Sequence, residues 1–267
     1  MSNSKIHPTA IIEDGAVIGD GCEIGPYAVI ENGARIGKEN KIGPMVYIMG
    51  SVTMGDNNKL LHGASVGGGP QDIHFTRTDT VLIIGSNNHI GEHATLHRGS
   101  SSGKTVIGNS NYLMGNIHVG HDCTLHDNII MANDAKLGGH VTVHNNVILS
   151  AAAGVHQHVR IGEMVIAGAL IRVTQDILPY TMAAMDGGLN GLNRIGLRRA
   201  GCSKESVNQL KEAYRLFCRN RMALAEFKAW LDQHSSDPYL KKWAAFIGEK
   251  SHRGFSRHGA AREESDD

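Results

Sequence analysis

Aliphatic side chains recur along this chain at every sixth position. They fall at Ile6, Ile12, Ile18, Ile24, Ile30, Ile36, Ile42, Ile48, Met54, Leu60 and Val66, then at Ile84, Ile90 and Leu96. After a break the beat returns at Ile107, Leu113, Val119, Leu125, Met131, Leu137, Val143, Leu149, Val155, Ile161, Ala167 and Val173. Small residues often precede these by two positions, as at Ala10, Ala16, Cys22, Ala28 and Ala34. A period of six fits neither the 3.6-residue repeat of a helix nor the alternation of hairpin-linked strands. It fits a parallel β-helix, in which each hexad makes one short side and a turn and three hexads close a triangular coil. Residues eighteen apart then stack, and the aliphatics build one continuous apolar column. Glycine after the aliphatic, as in Ile18-Gly19 and Ile24-Gly25, suits the turns, where a Cβ is disfavoured.

Two stretches interrupt the beat. Residues 67–80 (GGGPQDIHFTRTDT) hold glycine, proline and charge, with the beat resuming at Ile84, eighteen residues after Val66. Residues 97–106 (HRGSSSGKTV) delay the next beat by about five residues. Segments thrown out of a rigid solenoid are where function concentrates. From Gln175 the period stops and helical signals follow. Ser203 is placed to cap a helix carrying Val207, Leu210, Tyr214 and Phe217 on one face, a second helix spans Ala223–Gln233, and a third starts at Asp237-Pro238 with Leu240, Trp243 and Ile247 inward. The expected organisation is mainly β: a parallel β-helix over 1–190 with ejected loops near 67–80 and 97–106, a small helical domain over 191–255, and a disordered tail over 256–267.

Composition narrows the function classes. The 267 residues carry 26 basic and 26 acidic side chains, so no global charge draws the chain to nucleic acid or a membrane surface. No long apolar run marks a leader or a membrane span, and a cytosolic protein is expected. The four cysteines, Cys22, Cys123, Cys202 and Cys218, lack CxxC spacing and are expected to be reduced structural thiols.

The 16 histidines carry the candidate chemistry. Eighteen-residue stacking puts His121, Gly139 and Gln157 in one column, Asp122, His140 and His158 in the next, and His126 with His144 in another. With His118 and His156 they form a constellation that admits three readings. It can be polar decoration of turns. It can be a zinc site on the H-x4-H pair His121 and His126, since imidazole suits zinc and GHDCTLH resembles a segment of the γ-class carbonic anhydrases. That family also needs a histidine two coils earlier, where this chain has Gly85. Or it can be an acyl-transfer site, in which one imidazole takes the proton of a sugar hydroxyl, the adjacent carboxylate holds its tautomer, and the Gly139 N–H receives the oxyanion.

The segments HPTAIIEDGAVIG, GPQD, LHRGS, IHVGHDC, GGHVTVH, GVHQ, TQDILPY, GLRRAG and SHRG resemble those of the UDP-N-acetylglucosamine O-acyltransferases that begin lipid A synthesis. The resemblance runs from His7 to about Gly254. It implies a left-handed β-helix, a homotrimer with sites between subunits, and transfer of a 3-hydroxyacyl chain from acyl carrier protein to the 3-hydroxyl of UDP-N-acetylglucosamine, without metal or other cofactor. By position it implies His121 as general base, Asp122 as its orienting partner and Gly139 as oxyanion donor. His97, His118, His140, His156 and Gln157 would line the substrate sites, Gln71 and Asp72 would contact the sugar, and Asn193 and Arg199 would lie on the nucleotide side. Ala169, where the family's glycine admits long chains, would act with Leu170 and Arg172 as a shorter acyl ruler. Arg194, Arg198, Arg199, Arg215, Arg219 and Arg221 would form a basic patch for the acidic carrier protein. Three departures bear on the acceptor: His74 stands where lysine is common, Met185-Asp186-Gly187-Gly188 replaces G-N-x-A, and Ile195 replaces an acidic residue. They leave open an acceptor with an amine in place of the 3-hydroxyl.

Overall fold

The computed structural model describes residues 3–234 and 236–257. Strands of two to four residues follow one another at the hexad spacing, and each sheet takes every third strand. Among the described residues they build a first sheet of eleven strands, a second of nine and a third of eight, the three sides of a prism. Register follows the periodicity: Ile6 lies beside Ile24, Ile24 beside Ile42, Ile42 beside Leu60, and later Leu113 beside Met131 and Met131 beside Leu149. Every expected inward aliphatic from Ile18 to Val173 is buried, whereas Ile6, which no further coil covers among the described residues, is 39% exposed. At roughly 1.5–3 kcal/mol per buried aliphatic, this column is the main favourable term.

The corners use a conformation that costs energy. Asp122, His140, Asn146 and His158 have φ of 61°, 61°, 59° and 65°, the left-handed region that L-residues normally avoid. The amide at such a corner is satisfied by the coil before it: His140 donates to the carbonyl of His121 at 2.9 Å, Asn146 to Asp127 at 3.0 Å and His158 to Gly139 at 3.0 Å. Inside the prism the small-residue column contains buried Asn40, Asn58, Asn88 and Asn111. Each side-chain oxygen accepts the amide one coil on, from Asn58 to Asn40 at 2.8 Å, Asn88 to Asn58 at 2.9 Å, Asn111 to Asn88 at 2.9 Å and Ile129 to Asn111 at 2.8 Å.

The interruptions change the register without breaking the sheets. Met54 pairs with Ile84 and Val66 with Leu96, thirty positions apart, so twelve residues are extra. The eighteen residues from Val66 to Ile84 therefore carry the chain across one corner, not around one coil. Ile84 pairs with Ile107 and Leu96 with Val119 at twenty-three, the five extra residues that the delayed beat suggests. The loops are shorter than expected, because strands Ser65–Gly68, Thr95–His97 and Lys104–Ile107 take back their edges.

The chain leaves the solenoid through strands Thr181–Ala183 and Leu189–Leu192, which pair antiparallel. Helices follow: α1 (Arg194–Arg199), α2 (Lys204–Tyr214, continued by a wider turn over Arg215–Arg219), α3 (Leu224–Gln233) and α4 (Pro238–Gly248). Ser203 caps α2 by accepting from the Ser206 amide at 3.0 Å, and Asp237 caps α4 from Tyr239 and Leu240. The helices close the end of the prism. Trp243 Nε1 donates to the Pro179 carbonyl at 2.9 Å, and Arg160 bonds Asp176, Glu249 and the Phe246 carbonyl. Of the expected tail, Ser256 and Arg257 are anchored. The Ser256 hydroxyl donates to Gly187, and Arg257 donates to the Phe217 and Met222 carbonyls. Residues 258–267 lie outside the described residues.

Replacing Asn58 with alanine removes the acceptor for both the amide and the side chain of buried Asn88. The expected cost is about 2–4 kcal/mol of unfolding free energy, read by denaturant titration. A loss below about 0.5 kcal/mol, the scale of a surface substitution, would mean that the ladder is not structural.

Candidate active site

Both ejected segments leave at the corner that joins the second sheet to the third, in successive coils. The next three corners on that edge are His121-Asp122, Gly139-His140 and Gln157-His158, so the loops overhang the histidine columns. The expected stacking is present: the His140 and His158 rings lie 4.5 Å apart at 15°, and His126 and His144 lie 5.0 Å apart at 9°.

Asp122 is the hub. Its side chain is fully buried, and a buried carboxylate demands donors. Oδ1 accepts the amides of Ser100 at 2.9 Å and Ser102 at 3.0 Å and the Ser102 hydroxyl, while Oδ2 meets His121 Nδ1 at 2.8 Å and His140 Nε2 at 3.3 Å. The Asp122 amide donates to Thr105 Oγ1 at 2.8 Å. Burial acts to raise this carboxyl's pKa, but the hydrogen bonds of Ser102, His121 and Ser100 outweigh it and hold the group below the ordinary aspartate value. The anion is thus fixed against His121 Nδ1, which leaves Nε2 as the free ring nitrogen. One coil on, a Cβ built on Gly139 would stand 2.6 Å from His121 Cε1, so the ring packs where only glycine fits. The Gly139 N–H has no acceptor among the described residues.

A cleft of about 470 Å³ opens beside this pair, lined by Gln71, His97, His118, His121, Gly138, Gly139, Lys136, His156, Gln157 and Arg172. Gln71 reaches it from the first loop, and its neighbour Asp72 bonds the second loop. Its Oδ2 accepts the Ser100 hydroxyl at 2.6 Å and its Oδ1 the His74 amide at 2.9 Å, and the Ser100 bond leads the causes that lower its pKa. His118 Nδ1 bonds Thr95 Oγ1 at 2.8 Å, and burial first, then the charges of His97 and Lys136, push its pKa down to about 4. Burial likewise lowers His97 and His140.

The remaining candidates lie elsewhere. Asn193 and Arg199 line a separate groove on the first sheet with Ile148, Ile166, Met182 and Arg198. There both amide atoms of Asn193 are engaged, accepting from Gly196 as the cap of α1 and donating to the Met164 carbonyl. Ala169 is exposed on the edge between the first and second sheets, followed by Leu170 at 66% exposure. Of the arginines expected to form a patch, Arg194, Arg198 and Arg199 line the same groove, and Arg215 is paired with Glu212. His126 stacks on His144 and is not among the ligand atoms within 4.8 Å of one another, which belong to His121, Asp122 and His140. Among the described residues the H-x4-H pair therefore shares no candidate metal cluster.

Several contributors escaped the sequence reading. Thr95 reaches His118 through the twenty-three-residue register, and Ser100 and Ser102 reach Asp122 from the inserted loop itself, neither of which eighteen-residue stacking reveals. Thr105 lies in the eighteen-residue register but bonds the Asp122 amide through its side chain. The SHRG segment brings His252 to 5.3 Å from the His158 ring, and Arg253 donates to the Gln157 carbonyl at 3.0 Å and contacts the His156 ring.

Residues 1–32 match the bacterial transferase hexapeptide family of six repeats, which sets the class as a hexapeptide-repeat transferase. Residues 176–256 match the family described as Udp N-acetylglucosamine O-acyltransferase, domain 2. Among curated proteins, the acyl-[acyl-carrier-protein]–UDP-N-acetylglucosamine O-acyltransferase of Paraburkholderia xenovorans (strain LB400) is 45% identical over 95% of this chain and 100% of its own length. That of Anaeromyxobacter sp. (strain K) is 41% identical over 94% and 99%. The solved UDP-N-acetylglucosamine acyltransferase of Francisella novicida superposes with a TM-score of 0.91 at 33% identity, covering 94% of both chains, and the Acinetobacter baumannii LpxA with 0.90 at 35%, covering 94% of this chain and 99% of that one. The chain belongs to the UDP-N-acetylglucosamine O-acyltransferase family, and its solenoid is the left-handed parallel β-helix of that family.

His118 supplies a test of the cleft's electrostatics. With a folded pKa of about 4 against an unfolded value near 6.5, only the unfolded chain binds this proton between those limits. Its contribution therefore makes stability fall as pH drops from about 6.5 to 4. Imidazole NMR should show His118 neutral at pH 6, and His118→Gln should flatten the stability slope in that window; a charged ring at pH 6 would refute the assignment.

Proposed function

We propose that this chain moves a 3-hydroxyacyl group from acyl carrier protein to the 3-hydroxyl of UDP-N-acetylglucosamine, with His121 as general base. The names of its relatives support donor and acceptor. What carries the base assignment is the His121–Asp122 contact at 2.8 Å, with the carboxylate fully buried and the ring edge against Gly139. His121 Nε2 takes the proton of the sugar O3 as that oxygen attacks the thioester carbonyl. Positive charge then sits on an imidazolium held by Asp122, and the oxyanion points at the Gly139 N–H. Collapse expels the phosphopantetheine thiolate, which takes the proton back from His121. Such a base contributes roughly 10²–10⁴ in rate and an oxyanion donor of this kind about 10²–10³. The donor is already activated, so neither a covalent enzyme intermediate nor a metal or other cofactor is required.

The working form in this proposal is a homotrimer. The histidine cleft and the groove holding Asn193 and Arg199 lie on different faces of one prism, and a cyclic head-to-tail assembly sets one face against the other. A nucleotide held by Asn193 and Arg199 of one subunit would then reach His121 of the next. Sedimentation of the purified protein tests this, and a monomer that remains fully active would defeat it. The edge position of Ala169 supports its role as the acyl ruler. Ala169→Gly should shift donor preference toward longer chains, and an unchanged profile across donors would sink that role.

His121→Ala should lower transfer by at least about 10²-fold while leaving the fold intact. The assay uses hydroxyacyl carrier proteins of several lengths with UDP-N-acetylglucosamine and its 3-amino analogue, with metal content measured on the same wild-type sample. Preference for the amine would assign the chain to N-acylation, and a stoichiometric metal with chelator-sensitive turnover would refute the metal-free mechanism.

A further inference from the structure

Two loops that share no periodicity with the solenoid meet at one buried residue, Ser100, which is 3% exposed. Its amide donates to Asp122 Oδ1 at 2.9 Å and its hydroxyl to Asp72 Oδ2 at 2.6 Å. The second loop thereby grips the carboxylate that holds His121, and the same residue grips the first loop, which carries Gln71, Asp72 and His74. No other residue among those described bonds both carboxylates. Of the two carboxylates, Ser102 bonds only Asp122, through its amide and its hydroxyl, the latter also lying 3.1 Å from the Lys104 carbonyl, and the His74 amide bonds only Asp72.

We propose that Ser100 is a positioning residue that couples seating of the acceptor sugar on the first loop to the orientation of the His121–Asp122 pair. This rests on the acyl-transfer reading of the same site. Asp72 stands next to Gln71, which lines the cleft, and its two oxygens accept the Ser100 hydroxyl and the His74 amide, so the Ser100 bond is the one that ties this carboxylate to the second loop. Loss of that hydroxyl leaves the loop held to the second loop's surroundings by Arg77, which bonds the Ser101 carbonyl, by the contact of Arg98 with Phe75 and by the hydrogen bond of the Gly69 backbone with His97, none of which touches Asp72. The Ser100 amide survives replacement by alanine or threonine, so the Asp122 anion keeps that donor in both variants. The hydroxyl therefore acts on acceptor binding, while Ser102, with its second donor on Asp122 Oδ1, acts on the charge state of the base pair.

The two serines separate in a kinetic experiment on the full chain with carrier-protein donor and UDP-N-acetylglucosamine. Wild-type turnover is established first, because a wild type without transfer refutes the underlying function, whereas an active wild type with the wrong serine phenotype refutes only the coupling. Ser100→Ala should raise the acceptor KM by roughly ten- to a hundredfold, the scale of one hydrogen bond to a charged group, with donor KM unchanged. Ser100→Thr, which keeps the hydroxyl, should restore most of the loss. Asp72→Asn on the Ser100→Ala background should add less than its effect in the wild type, since both remove the same contact. Ser102→Ala should instead lower kcat and move the acid limb of the pH–rate profile upward, because Asp122 loses a donor that lowers its pKa. Equal changes in both substrates' KM, full additivity of Asp72→Asn with Ser100→Ala, or a Ser100→Thr variant as impaired as the alanine would overturn the proposal.

Discussion

One repeated contact underlies the molecule: the hydrogen bond by which a corner amide with positive φ donates to a carbonyl in the preceding coil. It fixes the rise from coil to coil without asking anything of the corner side chain. The apolar column sets which residues face inward, and this bond sets where the corners stack. Corner positions can therefore carry tyrosine, methionine, asparagine or histidine in different coils. Asp122, His140 and His158 occupy three successive corners of one edge; His140 and His158 are aligned by this backbone bond, while at Asp122 the Thr105 hydroxyl takes the place of the carbonyl.

The aliphatic beat describes the central apolar column of the solenoid, because inward-facing positions answer to burial, and burial has the period of the backbone. Eighteen-residue stacking likewise placed His140 over Asp122 and Gly139 over His121, since no insertion falls between those coils. It failed where the register steps by thirty or twenty-three. Ser100 and Asp72 are twenty-eight residues apart and meet through loop conformation, for which no spacing rule exists. The buried asparagines were hidden for another reason. Their column reads as a column of small residues, and nothing local announces that an amide side chain can take over the role of a backbone acceptor one coil away. Asn193 shows a third limit: its family position says nothing of the structural bonds it also makes, accepting from the Gly196 amide as a helix cap and donating to the Met164 carbonyl.

The site concentrates charge by withdrawing it from water. Asp122 is fully buried yet ionised, because Ser100, Ser102 and His121 together supply what solvent would. The histidines around it divide by environment: His97 and His118 are pushed toward neutrality by burial, and His121 alone has the carboxylate at 2.8 Å on one nitrogen and the cleft on the other. A rigid prism supplies the dyad, and the two loops supply the lid of donors that makes its geometry single-valued.

The SHRG segment gives the order of synthesis a chemical meaning. A solenoid whose coils touch only their neighbours can form progressively as the chain is made. Yet Arg253 closes on His156 across ninety-seven residues, and His252 stacks beside His158 at the same edge. The histidine edge can thus be assembled on a nascent chain long before the segment that braces it exists. Ribosome-bound intermediates would hold the dyad but lack these contacts, so the His156–His158 corner gains its bracing only when the SHRG segment docks.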